Sequence, residues 1–423
     1  MSTLSGPPAL IDGSRLAARD EPVWLHCGAM IDGTGKSVRR DAHVVYDRHA
    51  IRFVGCGRDM PPPHVLKPDQ VAPDVVAHDQ VLLPGLCDAH THLFLDGAEL
   101  DVERRAAHLM LSQDELMPGA RARLAGVLAD GVTAVRDAGD RRGVGLALSA
   151  EGRASHNAGV AYIDSPGAGI HRQGRYGSFM GEAFDSPEAS VAARVEQGAD
   201  RIKIIATGVV DFEKDAVTSA PQFTGDEIRR MVSAARAAGR QTFAHASGDA
   251  GIDHCIEGGV DSIEHGYFVR DDQLARMRDA NIAWVPTFAP VQAQLTHADR
   301  LGWNAFTQDN IRRVLARHAE SLQKAYHLGV RILAGSDSGS YGVDHGSGLR
   351  TELALMEDTG LPTLTVWNAA TGRSAAHLGL RDIGRISAGC RSRFLLAPAS
   401  IQQATRNLGG ALLVCDDAVI RVR

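Results

Sequence analysis

The residues of this sequence best suited to chemistry are histidines that end short apolar runs. His90 and His92 flank Thr91, and residues two apart in a strand point to the same face, so both imidazoles can bind one metal ion. His245 and His265 each end a later apolar run. Taken singly, each of these histidines also fits an exposed strand end or a hydrogen-bonded core position. Imidazole ligands without nearby thiolates favour zinc, with manganese, iron or nickel as alternatives.

A lysine and an aspartate complete the set. Lys203 lies in the apolar run 201–205, where an ammonium is costly to bury. One interpretation is a lysine whose end reaches water at the sheet rim. The other is a lysine with a lowered pKa that reacts with carbon dioxide, giving an anionic carbamate that can bridge two cations. The apolar neighbours and the position on the fourth predicted strand favour the carbamate.

Asp337 follows the apolar run 331–336. Its carboxylate can contact a metal and accept a proton from bound water, although an Asx turn or a helix N-cap is a common use of aspartate at such a position. The six residues are more specific together than singly, because they fall on predicted strands one, four, five, six and eight. We therefore predict that they meet around one metal centre.

The elements that position these residues alternate between strand and helix. Eight short apolar runs are predicted as strands, at 81–92, 132–137, 160–164, 201–207, 241–245, 262–265, 282–287 and 331–337. Helix signals separate them, such as the N-cap Ser186 before Pro187, the capping box that starts at Thr224, and the long run 307–328 closed by Gly329. Alternating strands and helices imply parallel β/α units, and eight of them imply a closed (β/α)8 barrel. Barrel enzymes place their active sites at the carboxyl ends of the strands.

The two ends of the chain have a different pattern. Short β-like runs broken by Gly, Pro and Asp occupy the region from 23 to 83 and return from 394 to 422. We predict a small β-sandwich domain formed by residues 21–82 plus 381–423, and a catalytic barrel over 83–380. Residues 1–20 show no period and are predicted to be a flexible arm.

Composition excludes several classes of protein. With 44% hydrophobic and 23% charged residues, the 423-residue chain has the mix of a globular protein. A formal net charge of −6 argues against a nucleic-acid or anionic-membrane partner, and no apolar run reaches the roughly 18–20 residues of a membrane helix. The N-terminus lacks a signal-peptide pattern, and the six cysteines form no C-x-x-C pair. A cytoplasmic location is expected.

Several segments are similar to the amidohydrolase superfamily of metal-dependent hydrolases. Its entry motif is matched by 84–92, its bridging-lysine strand by 202–208, and its later ligand motifs by 261–266 and 335–337. Segments 31–35 and 370–380 are typical of its imidazolonepropionase-like and dipeptidase-like branch. The resemblance covers nearly the whole chain and implies an α/β barrel with a small β-sandwich.

The resemblance also implies a binuclear centre for two divalent ions. One metal would be held by His90, His92 and Asp337, the other by His245 and His265, and carboxylated Lys203 would bridge them. The implied activity is hydrolysis of a C–N amide bond in a dipeptide, an N-acyl amino acid or a cyclic amide. A metal-bridging hydroxide would attack, with Asp337 as general base and then general acid.

Other activities stay open. A lactone or organophosphate ester hydrolase could use the same centre, and a heterocycle deaminase or a non-catalytic metal-binding barrel is less favoured. The expected partner is a small-molecule substrate, and a homo-oligomer is expected by family analogy.

Substrate contacts are predicted in two loops. The glycine-rich segment 165–181 follows the third predicted strand and is a candidate lid, because glycines supply hinges. Polar side chains in this loop and in the loop after Asp337 are candidates for binding a substrate carboxylate or carbonyl, with solvated loop residues as the alternative. These are His171, Arg172, Arg175, Tyr176, Tyr341 and His345.

Overall fold

A computed structural model describes residues 12–17, 20–402 and 405–423. The described chain forms a barrel of parallel strands surrounded by helices, and a separate seven-stranded sheet built from both chain ends. The strands, in chain order, are β1 (Val23–Ile31), β2 (Val38–Tyr46), β3 (Ile51–Cys56), β4 (Val75–Pro84), β5 (Leu86–Thr91), β6 (Val132–Asp137), β7 (Tyr162–Asp164), β8 (Gly169–His171), β9 (Gly181–Ala183), β10 (Ile202–Ile205), β11 (Thr242–Ala246), β12 (Ser262–His265), β13 (Ala283–Val285), β14 (Arg331–Ile332), β15 (Arg393–Pro398), β16 (Leu412–Cys415) and β17 (Ala418–Arg421).

The helices lie mainly between the barrel strands. They are α1 (Val102–His108), α2 (Gln113–Ala129), α3 (Val144–Ala154), α4 (Pro187–Glu196), α5 (Gly225–Ala237), α6 (Asp249–Gly258), α7 (Asp271–Asp279), α8 (Phe288–Thr296), α9 (Ala298–Leu301), α10 (Ala305–Leu328), α11 (Ser347–Asp358), α12 (Thr363–Ala369) and α13 (Gly372–His377). Short 3-10 helices occur at Gly13–Arg15, Pro63–Val65, Ala399–Gln402 and Thr405–Leu408.

The barrel consists of eight parallel strands in chain order: β5, β6, β7 and β10 to β14. Backbone hydrogen bonds join the first strand to the segment after the eighth. The Ala89 N–H donates to the Ala334 carbonyl (2.9 Å), and the Asp337 N–H donates to the His90 carbonyl (2.7 Å). These bonds bring the first and last predicted ligand segments together, and the (β/α)8 prediction is confirmed.

The third barrel strand is interrupted, which changes the interpretation of the predicted lid. β7 pairs with β6. Strand pairing then stops around Pro166, and β8 pairs with β10 through Ile170 and Ile204. The predicted lid over 165–181 is therefore wrong for its first part, since Gly169–His171 is a buried strand of the barrel sheet. A Cβ at Gly169 would lie 3.2 Å from Lys203 Cγ, so glycine lets this strand approach the buried lysine.

The predicted helix signals act as expected. Ser186 caps α4 with Pro187 in its first turn, and Thr224 and Glu227 form a capping box at the start of α5. Helix α10 begins slightly earlier than predicted, because Asn304 rather than a later residue caps it. Its end at Gly329, with φ of +82°, is as predicted.

Both chain ends contribute to one curled sheet, with strand order β17-β16-β15-β4-β1-β2-β3. Its concave face encloses an apolar cluster in which Tyr46 of β2 contacts Phe394 of β15 edge to face, with ring centroids 4.8 Å apart. Distant strands of the sheet thus pack on each other, giving the β-rich unit predicted from the two termini. We refer to it below as the small sheet.

The predicted flexible arm over 1–20 lies largely outside the described residues. Its described part is ordered: Leu16 is fully buried in the small-sheet core, and its carbonyl accepts a hydrogen bond from the Tyr46 hydroxyl (2.8 Å). The arm prediction is therefore wrong for this segment. All six cysteines are free thiols, and no helix within the described ranges is long and apolar enough to span a bilayer.

Candidate active site

A cavity of about 290 Å³ opens at the carboxyl ends of the barrel strands. All six residues predicted as metal ligands line it, and they come from β5, β10, β11, β12 and the segment after β14. They are His90, His92, Lys203, His245, His265 and Asp337. The structure thus brings together side chains that are up to 247 positions apart in the sequence.

The ligand atoms of these side chains are close to each other. Asp337 Oδ1 lies 3.6 Å from His90 Nε2 and 3.3 Å from His92 Nε2. One ligand atom each of His90, His265 and Asp337 lie within 4.8 Å of one another, and the rings of His245 and His265 are 4.4 Å apart between centroids. This spacing fits donors that share metal ions.

Two of these atoms are buried without any hydrogen-bond partner among the described residues: His90 Nε2 and Asp337 Oδ1. An unpaired buried polar atom costs about 1–3 kcal/mol, so folded proteins rarely keep one without a reason. A bound cation would satisfy both atoms. The Asx-turn alternative for Asp337 does not account for this carboxylate oxygen, which lacks a backbone partner.

Burial favours the neutral form of three of the site histidines, and neutral imidazole is the form that binds metals. Burial, with the nearby Lys203 charge, lowers the pKa of His90 to about 4 and that of His245 to about 3. Burial and the neighbouring histidines lower the pKa of His265 as well. Asp337 is also buried, which opposes ionisation, but the imidazoles of His92 and His90 outweigh this effect and lower the pKa of its carboxyl.

Lys203 does not reach solvent. Its side chain is 1% exposed, and its Nζ lies 4.7 Å from the centroid of the Phe243 ring. No hydrogen bond or ion pair to this nitrogen occurs among the described residues. Burial lowers the pKa of Lys203 to about 8, so a fraction of the amine is neutral near pH 7, as reaction with carbon dioxide requires.

A buried ion pair that the sequence analysis missed holds His90 in place. His90 Nδ1 donates to Glu264 Oε2 (2.7 Å), and Arg136 Nη2 donates to the same oxygen (2.7 Å). Arg136 Nε also donates to the Ala89 carbonyl, and the Ser262 hydroxyl donates to Glu264 Oε1 (2.6 Å). Burial opposes ionisation of Glu264, but Arg136 and His90 outweigh it and hold the pKa of its carboxyl below the ordinary value. A carboxylate that orients a ligating histidine is common behind metal sites.

His265 is oriented from a different strand. Its Nδ1 lies 2.8 Å from Thr287 Oγ1, and the Tyr267 hydroxyl donates to the Thr287 carbonyl (2.6 Å). Three non-glycine residues here have positive φ: His265 (67°), Thr287 (52°) and Asp337 (54°). Such backbone costs of order 1–3 kcal/mol each and clusters at functional sites.

The remainder of the cavity wall is uncharged. Its apolar part consists of Leu95, Phe179, Met180, Val209, Val210, Phe212, Pro290 and Val291. Its polar part consists of Tyr176, Ser247, Tyr267, Gln294, Ser340 and Tyr341. We call the space enclosed by the six donors and these residues the inner chamber.

Of the predicted substrate residues, only Tyr176 and Tyr341 line the inner chamber. His345 does not line it, and its Nε2 is 3.0 Å from the His92 carbonyl behind the metal donors. His171 does not line it either, and its Nδ1 bonds the neighbouring Arg172 carbonyl (2.8 Å). Both imidazoles stabilise the backbone instead of facing the cavity.

The two loop arginines are likewise committed to structure. Arg172 donates to the Gln222 carbonyl, pairs with Glu227 on α5, and packs over the Phe184 ring. Arg175 donates to the Ala220 carbonyl. Their guanidinium groups join the loop to the neighbouring β/α unit, so the prediction that they bind substrate is not supported.

The fold and the donor set define a metal-dependent hydrolase of the barrel type. The sequence profile of the amidohydrolase family matches residues 81–409, and the chain belongs to that family. It is therefore an enzyme that hydrolyses carbon–nitrogen bonds in small molecules. The family uses divalent metal ions, and the cluster of His90, His265 and Asp337 provides ligands for one.

Individual relatives agree with this assignment. The chain is 27% identical to ochratoxinase of Aspergillus niger over 392 residues, covering 86% of this chain and 78% of the relative. It is 30% identical to imidazolonepropionase of Cupriavidus necator over 150 residues, 30% of this chain and 34% of the relative. A crystal structure of a Xaa-Pro dipeptidase with methionine in the active site superposes with a TM-score of 0.76 at 25% identity, covering 95% of this chain and all of the dipeptidase.

Proposed function

We propose that the inner chamber binds two divalent metal ions and hydrolyses amide bonds. The observation that carries this proposal is the pair of buried donor atoms without hydrogen-bond partners, His90 Nε2 and Asp337 Oδ1, in a cavity lined by four imidazoles and a buried lysine. Neither atom has a hydrogen-bond partner among the described residues, and a cation would satisfy both.

Each donor has a role in the proposal. One ion would be held by His90, His92 and Asp337, and the second by His245 and His265. Lys203, once carboxylated, supplies the anion between them, and its apolar surroundings keep the amine partly neutral so that it can react. Nitrogen and oxygen donors favour zinc, with manganese, iron or nickel as alternatives.

Asp337 moves the proton. The cations supply an acidic water and polarise the scissile carbonyl when they are bound. The Asp337 carboxylate, with its pKa lowered, accepts the proton of the attacking water at Oδ and returns it to the leaving nitrogen. Its positive φ of 54° points this carboxylate at the imidazoles of His90 and His92.

The names of the relatives indicate the kind of bond. One relative is named as a Xaa-Pro dipeptidase, a peptidase by name, and we propose an amide hydrolase activity for this chain on that basis together with the site. Dipeptides, N-acyl amino acids and cyclic amides form the starting panel, assayed with Zn²⁺ and with Mn²⁺. Turnover of lactones or phosphotriesters alone would replace the proposal with an ester hydrolase.

Replacement of the lysine tests the metal centre. Lys203→Ala removes the bridging anion, and we expect metal analysis of the purified protein to fall from two ions per chain, with partial recovery on adding formate or acetate. The control is Lys324→Ala, which removes an exposed lysine paired with Asp271 and should keep both ions. Two tightly bound ions in Lys203→Ala would contradict the bridging role.

A further inference from the structure

The wall of the inner chamber has no charge besides the six donors. Among the described residues that line it, none of the others is an arginine, lysine, aspartate or glutamate. Away from Lys203 and the proposed metal ions, a substrate carboxylate in this chamber would lose hydration without meeting a side chain of opposite charge. Burying an unpaired carboxylate is strongly unfavourable.

The guanidinium of Arg105, which lies close to Tyr341, does not supply a positive charge for a substrate carboxylate. Arg105 lies over the Tyr341 ring (5.6 Å to the centroid) but donates to three backbone carbonyls, those of Asp96, Glu99 and Gly339. Burial lowers its pKa, which is the expected effect when a cation is desolvated. Its donors are used to join α1 to the rim, so it is not free to clamp an anion.

A second cavity of about 550 Å³ adjoins the inner chamber and shares Leu95, Phe179, Ser340 and Tyr341 with it. We call it the outer chamber. Its lining has two acidic side chains, Asp96 and Glu99, and two basic ones, Arg104 and Arg105, and Arg104 pairs with Glu99 (2.9 Å). The outer chamber therefore extends the site in length without making it anionic or cationic.

The polar groups on the inner wall suit neutral acceptors. The Gln294 carbonyl oxygen accepts from Trp303 Nε1 (3.1 Å), which leaves the amide N–H groups of Gln294 to face a ligand. No side-chain hydrogen bond is made by Tyr176 or Ser340 among the described residues. Amide and hydroxyl donors in an apolar wall match carbonyl or ether oxygens.

We infer that the substrate is an uncharged amide with an apolar group beside the scissile bond and no carboxylate next to it. This inference rests on the proposed function and narrows it, because it disfavours dipeptides and N-acyl amino acids. The apolar group packs on the apolar wall, and the rest of the molecule extends past Tyr341 into the outer chamber.

A matched pair of compounds tests it. N-benzoylphenylalanine and N-benzoylphenethylamine contain the same benzamide bond and differ by one carboxylate. In each, water adds to the carbonyl carbon, the C–N bond breaks, and benzoate and an amine are formed. We expect kcat/KM for the phenethylamide to be at least about tenfold higher, which corresponds to about 1.4 kcal/mol. An equal or higher kcat/KM for the phenylalanine compound would overturn the inference.

A cation added to the wall sharpens the test. Val209 lines the inner chamber and is 53% exposed, so Val209→Arg places a guanidinium at the mouth without disturbing the core. It should lower the preference for the phenethylamide by about tenfold, whereas the neutral control Val209→Gln should keep it. An unchanged preference in Val209→Arg would count against the charge argument.

A binding measurement distinguishes failure of this inference from failure of the proposed function. Calorimetry on metal-loaded Asp337→Asn measures the affinity of both compounds without turnover. Failure of wild type to cleave any amide would sink the proposed function, yet tighter binding of the phenethylamide would still support the neutral site. Equal or tighter binding of the phenylalanine compound, or binding of neither, would overturn the inference.

Discussion

Histidine and aspartate side chains come together in two regions of this chain, the barrel mouth and the small sheet. In each region, ligand atoms of two histidines and one aspartate lie within 4.8 Å of one another. The groups are His90, His265 and Asp337 at the mouth, and His26, His43 and Asp41 on the small sheet.

The difference lies in what the donor atoms already contact. On the small sheet, His26 Nε2 is 2.6 Å from Asp41 Oδ1, and Trp24 Nε1 donates to His43 Nδ1 (3.3 Å). The Asp41 side chain is 55% exposed. At the mouth, His90 Nε2 and Asp337 Oδ1 are buried and have no partner among the described residues. Proximity alone therefore does not identify a metal site, and buried donors without a protein partner are the stronger signal.

The origin of the proximity also differs. His26 and His43 face each other in the register of the antiparallel β1–β2 pair, so ordinary strand pairing brings them together. The mouth group comes from β5, β12 and the segment after β14, which meet because the barrel closes. Such a convergence over long sequence distances is harder to produce by chance.

The largest expected effect at the mouth is on catalysis. Asp337→Asn keeps an oxygen donor but removes the proton acceptor, so turnover should fall by about 10²–10⁴-fold while metal remains bound. Steady-state kinetics and metal analysis of the same preparation measure both. Near-normal kcat would remove Asp337 from the mechanism.

A smaller effect, on metal affinity, is expected for Thr287, a side chain that contacts the metal donor His265. Thr287→Val removes the hydroxyl that lies 2.8 Å from His265 Nδ1, and metal affinity should fall by about 10–100-fold. Thr287→Ser keeps the hydroxyl and is the matched control. Competition with a chelator measures the affinities, and equal values for both variants would show that the hydroxyl does not orient the imidazole.

Glu352 is a buried carboxylate with a hydrogen-bond partner for only one of its two oxygens among the described residues, and this should make stability depend on pH. Oε2 accepts from the Ala289 N–H at the start of α8 (2.8 Å), while Oε1 has no partner among the described residues. Burial raises the pKa of Glu352 from 4.5 to about 8, so the folded state binds the proton more tightly than the unfolded state. Its contribution is present below about pH 4.5 and is lost as the pH rises toward 8.

Glu352→Gln should remove this dependence. Between pH 5 and 8 the wild-type free energy of unfolding should decline relative to the variant by roughly 1.4 kcal/mol per pH unit. Denaturant unfolding at several pH values measures the difference. Parallel pH profiles for the two proteins would mean that Glu352 ionises normally.

The smallest effect is expected on the small sheet. His26→Ala removes a donor that already has a partner, so metal content and turnover should stay at wild-type values. Loss of an ion in this variant would erase the distinction between the two groups.

The sequence predicts the donors well because strand-end position is a local pattern. His245 and His265 each end an apolar run, and Lys203 is an isolated charge within one, so simple spacing identifies all three. Their supports were missed. Arg136 and Glu264 also lie in apolar runs, and the same search for charges in buried strands would have found them.

Substrate residues were predicted less well for a physical reason. Arg172 and Arg175 lie in a glycine-rich loop, and nothing in their spacing shows that backbone carbonyls and Glu227 from another β/α unit bind them. The sequence around Pro166 predicts a loop, but strand pairing resumes at β8. The contacts of a loop side chain depend on tertiary structure, whereas the location of a strand-end residue at the barrel mouth follows from the order of strands and helices.

Anomalous diffraction from crystals grown with zinc, measured on both sides of the zinc edge, tests the central claim most directly. The account predicts two peaks in the inner chamber, one near His90, His92 and Asp337 and one near His245 and His265, with density for a carboxylated Lys203 between them. It predicts none beside His26. An empty inner chamber, or ions beyond reach of Lys203, would contradict it.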